Sequence, residues 1–122
     1  GRPCPCGNYG CWEQYSSGAA LSNLILKNEA KAVSFEDSLT EFGEKVAIGF
    51  RNLSHILDPE MIILTGGITS IGDPLLNAIQ QAYYRKIGHR DNGKLTEIKI
   101  GMFGNEAGAL GAALMASSQE RI

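Results

Sequence analysis

The stretch that determines the fold class lies in the middle of the chain and reads Leu57-Asp-Pro-Glu-Met-Ile-Ile-Leu-Thr-Gly-Gly67. A residue that precedes proline is pushed out of the helical region, so Asp58 is predicted to end the helix before it. The uninterrupted apolar run over residues 61–64 is typical of a strand buried on both faces. Gly66 and Gly67 then predict a tight turn. A helix, a buried strand and a glycine turn in this order indicate an α/β protein.

The residues upstream of this stretch predict two helices. Ser38 followed by Glu41 fits a capping box, and apolar residues recur from there at three- and four-residue spacing to the end of that helix. Residues 12–27 show a looser helical spacing and are predicted to form a helix that grows directly out of a cysteine-containing loop. Residues 28–37 are polar and are predicted to connect the two helices.

The residues downstream predict two more helices and a second strand. Asp73 and Pro74 fit the cap and first position of a helix that ends near residue 87, with Gly88 as its terminator. A polar loop over residues 89–94 leads to a strand with alternating apolar residues, and Asn105 is predicted to cap the last helix. The residues predicted to face inward on the first of these helices are Leu75, Leu76, Ile79, Ala82 and Tyr83. On the strand, Ile98, Ile100 and Met102 alternate with Glu97 and Lys99, so one face is expected to be more exposed. On the last helix, one face is predicted to carry Ala107, Leu110, Gly111 and Leu114.

The predicted sheet is incomplete. Two strands do not make a stable parallel sheet by themselves, so the chain is expected to be part of a larger fold. Their open edges also predict self-association into a homo-oligomer.

The composition limits the class of protein. The 122 residues, of which 43% are hydrophobic and 20% charged, suffice for one domain with a core. A net charge of -2 without runs of like charge argues against nucleic acid as a partner of this segment. No stretch approaches the roughly 18 uninterrupted apolar residues of a membrane helix, and no signal-peptide pattern is present, so a cytoplasmic protein with reduced thiols and no membrane partner is expected.

All three cysteines lie in the stretch Cys4-Pro-Cys-Gly-Asn-Tyr-Gly-Cys-Trp-Glu13. The C-x-C-x4-C spacing, with glycines that let the backbone fold around an ion, is typical of a zinc-binding loop. Structural zinc takes four ligands, so a partner or a segment preceding Gly1 is expected to supply the fourth. The alternative is three ordinary thiols in a turn.

Three further features each allow two interpretations. Glu13 is either a carboxylate that binds a substrate or an ordinary glutamate favoured in the first turn of a helix. Gly66 and Gly67 either approach a nucleotide, since α/β sheets bind ligands beyond the carboxyl ends of their strands, or form a simple turn. His55, near the end of its helix, is interpreted as a surface residue rather than a ligand, and His89 is either an ordinary residue of its loop or a zinc ligand. No Ser/His/Asp or Cys/His catalytic grouping is recognised.

Taken together, these motifs resemble the ROK family of sugar kinases and sugar-responsive repressors. The cysteine stretch resembles the family's C-x-C-G-x-x-G-C-x-E signature, and residues 57–67 resemble its second signature. Gly104-Asn-Glu-Ala-Gly-Ala-Leu-Gly-Ala-Ala113 is similar to its closing helix, and Cys11-Trp-Glu-Gln-Tyr-Ser-Ser17 is most similar to the bacterial glucokinases of the group. The resemblance covers residues 1–116, which correspond to about the last third of a typical member.

The resemblance implies a fold and a metal site. The fold is the C-terminal subdomain of an actin-like ATPase (ribonuclease H-like) fold with an incomplete sheet. Residues 1–122 form a single partial domain, with a zinc loop over residues 1–13 and a helical and nucleotide-side remainder over residues 14–122. Cys4, Cys6 and Cys11 are implied to bind a structural zinc ion, whose fourth ligand is a histidine upstream of this chain.

The resemblance also implies roles in substrate binding. Glu13 is implied to accept hydrogen bonds from sugar hydroxyls, and Gly66 and Gly67 to line the adenine nucleotide site. Ile68 stands where family kinases often carry a third glycine. The catalytic aspartate and the main phosphate-binding loop are expected in an N-terminal portion, so no catalytic residue is assigned in this chain.

The activity implied for the full-length protein is that of an ATP-dependent hexose kinase. It would use Mg-ATP to phosphorylate the 6-hydroxyl of glucose or a related hexose, and this chain alone is expected to be inactive. The alternative is the effector-binding domain of a sugar-sensing ROK-type transcriptional repressor. A helix-turn-helix upstream would indicate the repressor, and an N-terminal phosphate loop the kinase.

Overall fold

The computed structural model describes residues 1–87 and 95–119. Within these residues the helices and strands, in chain order, are α1 (Glu13–Ser16), α2 (Gly18–Glu29), α3 (Phe35–Leu57), β1 (Met61–Leu64), α4 (Asp73–Ile87), β2 (Glu97–Ile100) and α5 (Ala107–Gln119). Short 3-10 turns lie at Gly67–Ile71 and Gly104–Glu106. The predicted α/β class is confirmed. Gly88 and the predicted loop at 89–94, including His89, lie outside the described residues.

The core lies between α3 and α4. Phe42 of α3 and Ile79 and Tyr83 of α4 are completely buried in it. At the contact, a side chain on Gly43 would place its Cβ 2.7 Å from the carbonyl oxygen of Ala78, so glycine permits the close approach of the two helices. The inward face predicted for α4 is confirmed. Its buried residues are Leu75, Ile79, Ala82, Tyr83 and Ile87, and Leu76 packs against their edge.

The beginning of α3 differs from the predicted capping box. The helix begins at Phe35, and the Oγ of Ser34 accepts a hydrogen bond from the backbone N–H of Asp37 at 3.0 Å. Ser38 instead lies inside the helix, where its buried hydroxyl donates to the Ser34 carbonyl oxygen and accepts from Asn28. The prediction failed because Ser34 offers the same cap one turn earlier, and the predicted connection over 28–37 is correspondingly shorter.

The single helix predicted over residues 12–27 is also wrong. Ser17 interrupts it with an extended backbone (φ −84°, ψ 166°), and its hydroxyl accepts a hydrogen bond from the N–H of Ala20 at 3.2 Å. A hydroxyl that caps a new helix favours this break over continuation. Gly18 follows at a crowded point, where a Cβ would lie 2.8 Å from the Cγ2 of Ile68.

The two strands form a parallel sheet in which Ile62 is opposite Ile98. Ile98 is buried, and its carbonyl oxygen accepts a hydrogen bond from Gln80 of α4 at 2.9 Å. The expected burial of β1 on both faces is wrong for the described residues, because Met61 and Ile63 are 41% and 57% exposed on the side that α4 does not cover. The second strand also ends earlier than predicted, at Ile100.

The last helix has no covered face in the described part of the chain. None of the residues from 107 to 118 is buried, and Leu114 is 62% exposed, so the described residues do not cover the face predicted for α5. Asn105 is not its cap, because it belongs to the preceding 3-10 turn. None of the described helices is both long and apolar enough to cross a membrane.

We predict that Ser34→Ala lowers the free energy of unfolding by about 1 kcal/mol, because the N–H of Asp37 loses its cap. Urea denaturation measures the change. Thr40→Ala is the matched control, since Thr40 is an exposed hydroxyl residue inside the same helix. Equal stability of the two variants would contradict the assignment of Ser34 as the cap.

Candidate functional site

The cysteine-containing loop folds back on itself over residues 1–12. The backbone N–H of Cys4 donates to the carbonyl oxygen of Asn8 at 2.9 Å, and the N–H of Gly7 donates to the carbonyl oxygen of Cys4 at 3.0 Å. Gly7 and Gly10 have φ values of +90° and +76°, which L-residues with side chains rarely adopt. The two glycines therefore permit the turns that bring Cys4 and Cys6 to Cys11.

The three thiols meet as the sequence predicts. The Sγ atoms of Cys4, Cys6 and Cys11 all lie within 4.8 Å of one another, and those of Cys6 and Cys11 are 3.6 Å apart. Sulfur ligands about 2.3 Å from a tetrahedral zinc ion lie about 3.8 Å from each other. Both the spacing and the soft donor set therefore fit Zn²⁺ and leave one coordination position for a fourth ligand.

Hydrogen bonds within the cluster shift the pKa values of Cys6 and Cys11 in opposite directions. The pKa of Cys6 lies below its usual value, mainly because of a hydrogen bond from the Asn8 backbone and, to a smaller extent, one from Cys4. The pKa of Cys11 is raised to about 11, mainly by its hydrogen bond with Cys6 and, to a smaller extent, by that with Cys4. Three thiolates at this separation repel one another, and a bound cation removes that repulsion. Metal binding would therefore release protons from this cluster.

Arg2 and Tyr15 join the loop to α1, and sequence analysis missed both. The backbone N–H of Arg2 donates to the Tyr15 hydroxyl at 2.8 Å. The guanidinium carbon of Arg2 lies 4.5 Å from the centre of the Tyr15 ring. The Arg2 Nη1 also donates to the carbonyl oxygen of Gln14 at 2.7 Å, while the Gln14 Nε2 lies 3.6 Å from the Sγ of Cys4. Spacing rules cannot find contacts across this fold-back, because they describe single helices and strands.

Glu13 is the first residue of α1 and is exposed. It lines a cleft of about 440 Å³ between the loop and one side of α2. Arg2 and Lys27 also line this cleft, so it offers both hydrogen-bond acceptors and cationic donors. The other polar residues that line it are Gln14, Ser17 and Asn23.

Gly66 and Gly67 lie at the carboxyl end of β1, as predicted. Gly66 has a φ of +96°, and its carbonyl oxygen accepts a hydrogen bond from the Thr69 hydroxyl at 2.7 Å. A Cβ on Gly67 would lie 3.2 Å from the Oδ1 of Asn105. Glycine thus relieves strain at the first position and crowding at the second.

Both glycines line a second cleft, of about 520 Å³, on another side of α2. Its lining is rich in hydroxyl groups, and Ile68 also contributes to it. The hydroxyl residues are Ser16, Ser17, Ser22, Thr65 and Ser70. Since Ser17 lines both clefts, the cleft of Glu13 and the cleft of the two glycines are neighbours. His55 lies apart from both clefts and is exposed, in agreement with the prediction.

Several proteins of known function are similar to this chain. It is 28% identical to a glucokinase from Streptomyces coelicolor, over 100% of this chain and 48% of that protein. It is 31% identical to the xylose repressor of Bacillus spizizenii, over 91% of this chain and 32% of the repressor. The chain thus spans about half the length of the glucokinase and a third of that of the repressor.

The fold is shared with solved structures. A ROK family glucokinase from Streptomyces griseus, solved in complex with glucose and AMPPNP, superposes with a TM-score of 0.80 at 24% identity, over 94% of this chain and 47% of the other. This likeness confirms the predicted actin-like ATPase fold. The model of the ROK family matches residues 1–119. The chain therefore belongs to the ROK family.

Proposed function

We propose that this chain is the carboxyl-terminal part of an ATP-dependent hexose kinase that phosphorylates the 6-hydroxyl of glucose or a related sugar. The observation that carries the proposal is the pair of neighbouring clefts that share Ser17. Phosphoryl transfer needs the acceptor hydroxyl and the γ-phosphate in contact, so a kinase requires adjacent sugar and nucleotide sites. The similarity to the Streptomyces coelicolor glucokinase supports this assignment.

The first part of the proposal concerns the cysteine-containing loop of residues 1–12, called the thiol loop from here on. Cys4, Cys6 and Cys11 would hold a structural Zn²⁺, and a histidine upstream of this chain would be the fourth ligand. The ion would tie three points of the loop together immediately before Glu13. A reducing cytoplasm would keep the thiols available for the metal.

The second part concerns the sugar. Glu13, which lines the cleft, would accept hydrogen bonds from sugar hydroxyls through its carboxylate. Arg2 and Lys27 on the same cleft would donate to the sugar oxygens. A polar cleft with both donors and acceptors suits a polyhydroxylated ligand, whose hydroxyl groups each donate and accept.

The third part concerns the nucleotide. Gly66 and Gly67 present backbone without side chains at the carboxyl end of a parallel strand, where α/β sheets bind ligands. The hydroxyl groups around them would hydrogen-bond the nucleotide of Mg-ATP. The general base would be an aspartate outside this chain, which would take the proton of the sugar's 6-hydroxyl.

A sugar-sensing repressor is the second candidate, and the similarity to the xylose repressor favours it. In that case the Glu13 cleft would bind the sugar as an effector. ATP-dependent phosphorylation by the full-length protein separates the two functions.

We predict that Cys6→Ser abolishes tight zinc binding, because only two of the three thiol ligands remain. Metal analysis of the purified full-length protein should find one zinc per chain in the wild type and little in the variant. Tyr9→Ser is the matched control, since Tyr9 is an exposed residue of the same loop that carries no thiol. Wild-type protein without zinc, or a Cys6→Ser variant that retains it, would contradict the metal site.

We predict that Glu13→Gln weakens glucose binding to the full-length protein by about tenfold or more, because hydrogen bonds to a charged group are worth about 1.5–3 kcal/mol. Zinc content should not change. Isothermal titration calorimetry measures the affinity. Glu29→Gln removes an exposed carboxylate outside the cleft and should bind glucose as the wild type does. Unchanged affinity in Glu13→Gln would remove Glu13 from the sugar site.

We predict that purified residues 1–122 do not phosphorylate glucose, because the proposed general base lies outside them. A coupled assay of ADP release with Mg-ATP and glucose measures the activity, with the full-length protein as the positive control. Turnover by residues 1–122 would show that this chain contains its own catalytic base.

A further inference from the structure

Trp12 stands between the third thiol and Glu13, and its side chain lies against α3. Its Nε1–H donates to the carbonyl oxygen of Lys45 at 2.8 Å. Its ring also meets that of Phe50 edge to face, with 6.1 Å between the ring centres. A helical carbonyl oxygen has a second lone pair, so Lys45 can accept this bond in addition to its bond within the helix.

Gly49 provides the place for the indole. A Cβ built on Gly49 would overlap the ring carbons of Trp12, which are the nearest atoms to it. Glycine inside a helix is unfavourable relative to alanine, so its presence in the middle of α3 has a physical reason here. The absence of a side chain lets the indole lie directly on the helix backbone.

The remaining hydrogen bonds of the loop do not reach the core. Among the described residues, those made by residues 1–16 join partners within residues 1–17, apart from the bond from Trp12 to Lys45. Helix α1 has four residues, none of which is fully buried, and a helix this short is marginal by itself. In the described part of the chain, the indole therefore provides the hydrogen-bonded connection from the thiol loop to α3 and contacts Phe50 of the hydrophobic core.

We propose that Trp12, seated on Gly49, is a positioning residue that sets the location of the thiols and of Glu13 relative to α3. Its neighbours in sequence are a thiol of the metal cluster on one side and the sugar-binding carboxylate on the other. One docked side chain thus orients both. The part that concerns Glu13 rests on the proposed function, whereas the part that concerns the thiols depends only on metal binding.

Gly49→Ala tests the proposal, because it displaces the indole without changing the loop sequence. In the full-length protein, cobalt(II) titration followed by thiolate-to-metal absorbance should show affinity lower by about tenfold or more, as expected for groups that orient metal ligands. Trp12 is the only tryptophan of this chain, so the difference in indole emission between the full-length protein and its Trp12→Phe variant reports on the seat. Its emission should shift toward that of solvent-exposed indole.

Two further variants make the result specific. Gly108→Ala is the control, because Gly108 is also helical and a Cβ there meets no atom within 4 Å. Trp12→Phe combined with Gly49→Ala should recover part of the cobalt affinity, since the smaller ring leaves room for the added methyl group. If Gly49→Ala alone does not fold, the Trp12→Phe variant tests the proposal instead, because it leaves α3 unchanged and removes the hydrogen bond to Lys45. Trp12→Phe is expected to bind cobalt more weakly than the wild type.

Cobalt affinity and indole emission in Gly49→Ala that equal those of Gly108→Ala would overturn the proposal. A wild-type protein that binds no cobalt would also overturn it. If Gly49→Ala does not fold, an unchanged cobalt affinity in Trp12→Phe would overturn it as well. Failure of the wild type to bind glucose would remove the proposed function and leave the positioning of the thiols standing, because both readouts are taken without sugar.

Discussion

The close contact of α3 with α4 at Gly43 is the constraint on which the rest of the described structure depends. Because Gly43 has no side chain, the backbone of α4 at Ala78 approaches it, and Phe42, Ile79 and Tyr83 close the core around the contact. Helix α4 in turn supports the sheet and the glycine turn after β1. On its other side, α3 receives the indole of Trp12. The thiol loop and the cleft lined by Gly66 and Gly67 thus both depend on contacts that lead back to α3.

The break at Ser17 lies where the two clefts meet. Ser17 has an extended backbone and lines both of them. With the break, α1 carries Glu13 toward one side of α2 while the turn after β1 approaches another side. The hydroxyl of Ser17 caps α2 and so fixes the point at which α1 and α2 meet. The proposed sugar and nucleotide sites lie on either side of this point.

Sequence reasoning succeeded where a single periodic pattern or a fixed spacing decides the structure. It found the α/β class, the inward face of α4, the meeting of the three thiols and the glycine turn at the end of β1. It failed at helix ends, where Ser34 competed with Ser38, and at the break at Ser17, because several hydroxyl residues offer similar caps. It predicted cover for Met61, Ile63 and α5 that the described residues do not supply. It also missed Arg2 and Tyr15 and the seat of Trp12 on Gly49, because those contacts join segments far apart in sequence or fold a loop back on itself.

In the proposed function, a metal held by the three thiols keeps the carboxylate of Glu13 in place for a sugar. The most direct measurement is the affinity for glucose of the full-length protein loaded with zinc, stripped with a chelator, and then reloaded. Stripping is expected to lower the glucose affinity by about tenfold or more, because the groups that hold a binding residue in place are lost, and zinc is expected to restore it. Equal glucose affinity with and without the metal would contradict a role of the metal in positioning Glu13.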